Sequence, residues 1–117
     1  MKFKKNFIYE VIAKFENFYK ALGIKYIRKE RHNDKIVMYF EIFIYNHKTA
    51  ENLIKSKKFC VFFVSDFTIF YDVIMKNFDK IEDKINKFPS ANFEIYENVK
   101  NDDGILIKCF SEIERKN

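Results

Sequence analysis

Apolar positions along the chain recur with two different periods, and the change of period marks the elements. Residues 6–19 fit both. Phe7, Ile8, Val11, Ile12, Phe15, Phe18, Tyr19 and Leu22 follow a helical stripe, whereas Phe7, Tyr9, Val11, Ala13 and Phe15 alternate as a strand does. Period alone slightly favours a helix there. Residues 21–29 read as a strand, His32-Asn33-Asp34-Lys35 as a turn, and residues 36–44, β-branched and aromatic throughout, as the second strand of a hairpin. Asn46 or Thr49 is placed to cap a short helix running through about Lys55. Residues 59–64 are a short continuous apolar run, the mark of a strand buried on both faces. Ser65-Asp66 opens a longer helix with Phe70, Val73, Ile74, Asn77, Phe78, Ile81 and Ile85 on one face, and Phe88-Pro89-Ser90 ends it. A second hairpin closes the chain. Ala91, Phe93 and Ile95 share one face of its first strand, Asn101-Asp102-Asp103-Gly104 carries the Asp-Gly turn signature, and Ile105, Ile107, Cys109, Ser111 and Ile113 share one face of its second strand. Two hairpins, an isolated core strand and two helices predict a small α+β barrel with the helices outside.

Composition narrows this picture. The 117 residues suffice for one domain, spanning 1–117, and 48% hydrophobic content with 15 Phe and 7 Tyr supplies a large core. Only two Gly and one Pro are present, so turns must be made by Asn, Asp and Lys. The net charge of +5 is spread along the chain among interspersed acids. A nucleic-acid binder concentrates its excess on one face, so this pattern argues against such a partner. The densest basic stretches, Lys25 to Arg31 and Lys55, Lys57 and Lys58, read as solvated edges, with an anion-binding surface as the alternative. Cys60 and Cys109 lie in apolar runs and read as small hydrophobes suited to a reducing compartment. Without CxxC spacing, and with His32 and His47 far apart, no metal site is expected. No apolar run reaches the ~18 residues of a membrane span, and the N-terminal segment is broken by Glu10 and Lys14, so the cytoplasm is expected and a membrane is not.

Candidate chemistry is sparse. Ser, Thr, Cys and His are scattered without a nucleophile–base motif, and two glycines cannot build a phosphate-cradling GxGxxG loop. Glu10, Glu41 and Glu94 punctuate strands and alternate to the outer side. No residue stands out as catalytic. One segment does carry a mechanism. Tyr45-Asn46-His47-Lys48-Thr49 leads from a strand into a helix, where unpaired N–H groups, a positive dipole, a hydroxyl and an ammonium suit a phosphate. Ordinary helix capping uses the same residues.

This segment also carries a resemblance. Ile8-Tyr9-Glu10-Val11-Ile12, then Leu22-Gly23-Ile24, then Thr49-Ala50-Glu51-Asn52-Leu53 before Val61-Phe62-Phe63-Val64-Ser65-Asp66, and Ile69-Phe70-Tyr71, follow one another in order. In this order the chain resembles an archaeal, uncharacterised branch of the FMN-binding split-barrel proteins, within the flavin reductase-like and pyridoxamine phosphate oxidase-like superfamily. The resemblance implies an α+β fold, a mainly antiparallel six-stranded split β-barrel with one short and one longer helix. It makes residues 8–15 a strand, with Glu16-Asn17 in the hairpin loop. It also implies a homodimer with FMN in a groove between subunits. Asn46, His47, Lys48, Thr49 and Asn52 would hold the phosphate, and the strand at Gly23 would lie along the flavin, where a missing side chain lets backbone approach the ring. The chain departs from the family's pattern at Tyr19-Lys20-Ala21-Leu22, which lacks a proline, at Phe63 in place of a strand Asn, and at Asp66-Phe67-Thr68.

Three functions follow as expectations. The first is an FMN-binding flavoprotein, as an enzyme a flavin-dependent oxidoreductase. The second is a split barrel that has lost flavin and serves as a structural or interaction module. The third is a basic domain for single-stranded nucleic acid, using aromatic-rich strands as a stacking platform.

Overall fold

The computed structural model describes residues 3–16, 18–75 and 82–114. Six strands and three helices follow in order: β1 (Ile8–Phe15), β2 (Phe18–His32), β3 (Lys35–Ile44), α1 (His47–Ser56), β4 (Lys58–Phe63), α2 (Phe67–Ile74), α3 (Glu82–Ile85), β5 (Ser90–Lys100) and β6 (Ile105–Glu114). The strands close a barrel in the order β1-β2-β3-β6-β5-β4, with β4 pairing back to β1 and every pair antiparallel. This is the expected α+β split barrel with its six antiparallel strands.

Residues 8–15 are a strand, and the barrel explains their helical look. Val11, Ala13 and Phe15 point into the barrel core, while Ile12 points out into a second cluster with Tyr19, Phe62, Ile69, Val73 and Ile85. A strand buried on both faces loses the clean alternation of a half-exposed one. β4 behaves the same way: Phe59, Val61 and Phe63 face in, and Phe62 and the half-buried Cys60 face out. α2 and α3 exist to cover this outer patch.

The longer helix differs in detail. α2 ends at Ile74 with Met75 as its C-cap, and α3 is a separate turn. Ile69 and Val73, one helical turn apart, supply the buried face, whereas Ile74 is exposed. Asn77, Phe78 and Ile81, expected on the same face, lie outside the described residues, as does Asn17 of the first hairpin loop.

With few glycines, the turns adopt positive φ at Asn6, Glu16, Asn33 and Lys57. Gly104 has no positive φ, so the Asp-Gly signature misstates why glycine is there. A Cβ at Gly104 would stand 2.5 Å from the Ile44 carbonyl oxygen and 3.0 Å from the Phe43 ring. The β5–β6 turn therefore presses directly on the end of β3. Asn101 shapes that turn, its side-chain oxygen accepting from the N–H groups of Asp103 and Gly104 at 3.0 and 2.9 Å.

Two elements stop the barrel. α1 contacts β3, β4 and β6 and buries Thr49, Ala50 and Leu53. At the end of β4 away from α1, Phe3 packs among Tyr9, Tyr26, Phe40 and Phe63 with ring centroids 5.2–5.6 Å apart. The Lys4 N–H donates to the Tyr9 hydroxyl. No helix among the described residues is long and apolar enough to cross a membrane.

Candidate functional site

The junction between β3 and α1 is capped by Asn46, not Thr49. Asn46 has extended backbone, its side-chain oxygen accepts from the Thr49 N–H at 3.0 Å, and its carbonyl accepts from Ala50 N–H at 3.0 Å. Thr49 is turned inward and is 6% exposed. The N–H groups at the open first turn are those of His47 and Lys48. No acidic residue stands in that turn, so nothing there offsets the positive end of the helix dipole. Asn46, Lys48 and Asn52 are exposed and His47 is half-buried. The structure thus brings Asn46, His47, Lys48 and Thr49 together at one helix end, with Asn52 one turn further along α1. Thr49 contributes to packing rather than to a solvent-facing site.

Gly23 lies on the outer face of β2, opposite Glu10 of β1. It lines a groove of about 390 Å³ with Ile8, Lys25, Glu41, Phe43 and Leu106. Neither backbone nor packing requires glycine here. Its φ is not positive, and an added Cβ would make only an ordinary 3.4 Å contact with Ile8 Cγ2. What glycine does is keep the floor of the groove flat. The groove and the α1 terminus are joined along β3: Phe43 in the groove packs edge to face on Tyr45, 4.7 Å between centroids, and Tyr45 leads into Asn46. Lys25 and Glu41 face each other across β2 and β3, so the groove carries one charge of each sign. The run Lys25–Arg31 marked Lys25 in the sequence; Ile8, Phe43 and Leu106 converge only through strand register.

A larger cleft of about 510 Å³ lies on the other side of Ile8, lined by Phe7, Ile8, Tyr9, Glu10, Phe63, Val64 and Ser65. The β1–β4 ladder runs over Val11–Lys14 and is continued by one bond, the Val64 N–H donating to the Glu10 carbonyl at 3.3 Å, beyond which no pairing between the two segments is made among the described residues.

A third surface brings aromatic rings and cations together. Tyr39, Tyr96 and Phe110 cluster on the outside of β3, β5 and β6, with the Arg28 guanidinium 4.2 Å above the Tyr39 ring. Its neighbouring cations are already occupied. Arg28 pairs with Glu30 at 2.9 Å, Lys35 with Glu112 at 3.3 Å, Lys58 with Glu94 at 3.1 Å and Lys108 with Glu97 at 3.1 Å. Hydrogen bonds from Arg28 and then His32 hold the Glu30 carboxyl below its usual range. These four cations of the face are thus each paired with a carboxylate.

Burial raises both thiols above the ordinary cysteine range, Cys109 most, which disfavours the thiolate. Among the described residues no group of three His, Cys, Asp or Glu side chains could hold a metal.

A scan of protein-family models and a search of curated proteins give no match. Solved structures do. An FMN-binding protein from Thermus thermophilus, with 1-cyclohex-2-enone bound, matches 96% of this chain and 72% of its own at 12% identity and a TM-score of 0.51. The flavin reductase HpaC, complexed with NADP+, matches 97% of this chain and 83% of its own at 15% identity and a TM-score of 0.51. Identities this low speak for the fold alone, and the fold of this chain is the split barrel seen in these flavin proteins.

Proposed function

We propose that the protein is a homodimeric FMN-binding flavoprotein, and that as an enzyme it is a flavin-dependent oxidoreductase. The observation that carries this reading is the glycine at position 23. Neither its own backbone nor its own neighbours need it, yet it floors a groove whose volume lies in the range of small-molecule sites. A planar ring can approach such backbone closely. The donors suit the rest of the molecule. The His47 and Lys48 amides, the Lys48 ammonium and the helix dipole would receive the phosphate, and Asn46 would hold the turn in shape. Phe43 and Leu106 would pack on the ring, with Lys25 at its edge. Bound flavin supplies two-electron redox chemistry; the chain supplies binding, orientation and exclusion of water. A second copy covering the exposed Ile8 and its neighbours would complete the groove. The split-barrel likeness to an FMN-binding protein and to a flavin reductase supports the cofactor choice.

A visible absorption spectrum of purified protein, with and without added FMN, tests this. Bound flavin should give the yellow absorption bands, and FMN at about a hundredfold excess over its Kd should add about 2.7 kcal/mol of stability, read as a rise in Tm. Colourless protein with an unmoved Tm would remove the cofactor. Light scattering decides the dimer separately. One observation favours the second reading, a split-barrel interaction module without flavin: Asn46 already satisfies the Thr49 amide that a phosphate would otherwise take. A dimer without flavin affinity is its signature.

A further inference from the structure

The described helices leave one wall of the barrel open. Ala50 and Leu53 of α1 join the inner core, while α2 and α3 pack over Ile12, Tyr19 and Phe62 of β1, β2 and β4. The outer face of β3 and β6 carries half-exposed Tyr39, Phe43, Leu106 and Phe110, and Tyr96 and Val99 of β5 beside it are exposed. Strand register orders this wall into three rows. Glu41 pairs with Lys108, with Lys25 of β2 and Glu97 of β5 on the flanks. Tyr39 pairs with Phe110, flanked by Arg28 and Glu94. Phe43 pairs with Leu106, flanked by Val99 and, in the groove, by Gly23.

Each row complements its own reversal. Consider a two-fold axis parallel to the strands and midway between β3 and β6. Across it Glu41 of one copy faces Lys108 of the other, Lys25 faces Glu97, and Arg28 faces Glu94. Tyr39 meets Phe110, Phe43 meets Leu106, and Val99 meets Gly23. The irregularities of the sheet obey the same axis. β2 shifts register between Tyr26 and Arg28, and β5 between Ile95 and Glu97, both between the charged row and the aromatic row. Among the described residues Lys25 and Glu41 form no salt bridge within one copy.

We propose that this wall is the homodimer interface, with β3 of each copy docked on β6 of the other. The inference rests on the homodimer proposed above and assigns its surface. An isologous contact requires a patch that complements itself, and packed sheets keep their strands within about 30° of each other, so the rows stay matched near the axis. An unrelated partner gives no reason for mirrored charges and mirrored bulges. The exposed Phe67 and Tyr71 of α2 form a rival apolar face, but without such a charge pattern. The docking brings Val99 of each copy to the groove at Gly23 of the other, so the second copy completes that groove.

Sedimentation velocity on the full chain, with and without FMN, tests this, and a dimer is expected. Glu41→Lys sets two lysines together at both symmetry-related contacts and should weaken dimerisation about tenfold or more. Lys108→Glu should do the same with two carboxylates. Mixed together, the two variants should pair with each other more tightly than either does with itself, because both contacts become opposite in charge again. A monomer with and without FMN overturns this interface and the homodimer together, and the flavin spectrum still decides the cofactor. A dimer indifferent to both variants, or variants that gain nothing on mixing, overturns the interface alone. Circular dichroism checks that each variant folds. If one does not, dilution of the unaltered chain decides by NMR: the amides of Phe43, Leu106 and Lys108 should shift while those of Phe67 and Tyr71 stay, and the opposite pattern overturns the proposal.

Discussion

The two helix starts that follow barrel strands are capped by different means. At α2 the cap is Asp66, whose carboxylate accepts from Thr68 and Ile69 at 2.9 and 3.4 Å, and the first helical residue is the exposed Phe67. At α1 the cap is the neutral Asn46, which accepts from Thr49 alone, and His47 and Lys48 follow. One helix brings its own negative charge to the positive end of its dipole. The other places a lysine at a positive end and leaves it uncompensated. Both arrangements cap a helix, but only the second has a surplus for an anion. A phosphate assignment at α1 thus rests on what the chain declined to place there, and α2 is the internal control.

The strongest way to break the contrast is through the turn that presses on β3. Gly104→Ala drives a methyl group into the Ile44 carbonyl just before α1, and overpacking of this kind costs about 2 kcal/mol. Chemical denaturation should show the loss, and hydrogen exchange should quicken at Thr49 and Ala50 while Thr68 and Ile69 keep their relative protection. Equal loosening at both helices would mean the turn does not act on α1 selectively. A subtler change makes the two caps alike. Asn46→Asp keeps the acceptor, brings a charge to the α1 terminus and should leave stability unchanged or slightly raised. FMN affinity, read from flavin fluorescence, should fall about tenfold because the added carboxylate opposes the phosphate. Unaltered affinity would move the phosphate away from α1. The smallest effect is at the opposite end of the same helix. Lys57 holds φ at 61° as the C-cap, so Lys57→Gly should raise stability by about 0.5 kcal/mol without touching ligand affinity. A lower Tm would show that the lysine side chain contributes more than its strain costs.

Strands were legible where one face met water and the other met the core, and the hairpins and both helix starts fell where the pattern put them. The start of the chain was not legible from period, because Val11 and Ile12 are both fully buried on opposite faces and together imitate a helix. The resemblance, not the periodicity, set it right. Gly104 shows a turn motif giving the right location for the wrong reason, since the requirement comes from a carbonyl distant in sequence. The candidate site was half legible. Asn46 through Thr49 share one short segment, so local rules reach them, although only coordinates decide between Asn46 and Thr49 as cap. The groove is built by register among β1, β2, β3 and β6, which no local pattern encodes. Phe3 was silent too: a lone Phe among lysines gives no hint that four rings await it.

The ring order β1-β2-β3-β6-β5-β4 has a consequence for how the protein must be made. Of these six strands β6 is made last, yet it is inserted between β3 and β5, and without it each of those strands presents a bare row of amides and carbonyls. Closure therefore depends on contacts far apart in sequence, β4 with β1 and β6 with β3. A stop codon that removes only the final strand would therefore leave a two-edged sheet prone to self-association, not a slightly shortened barrel.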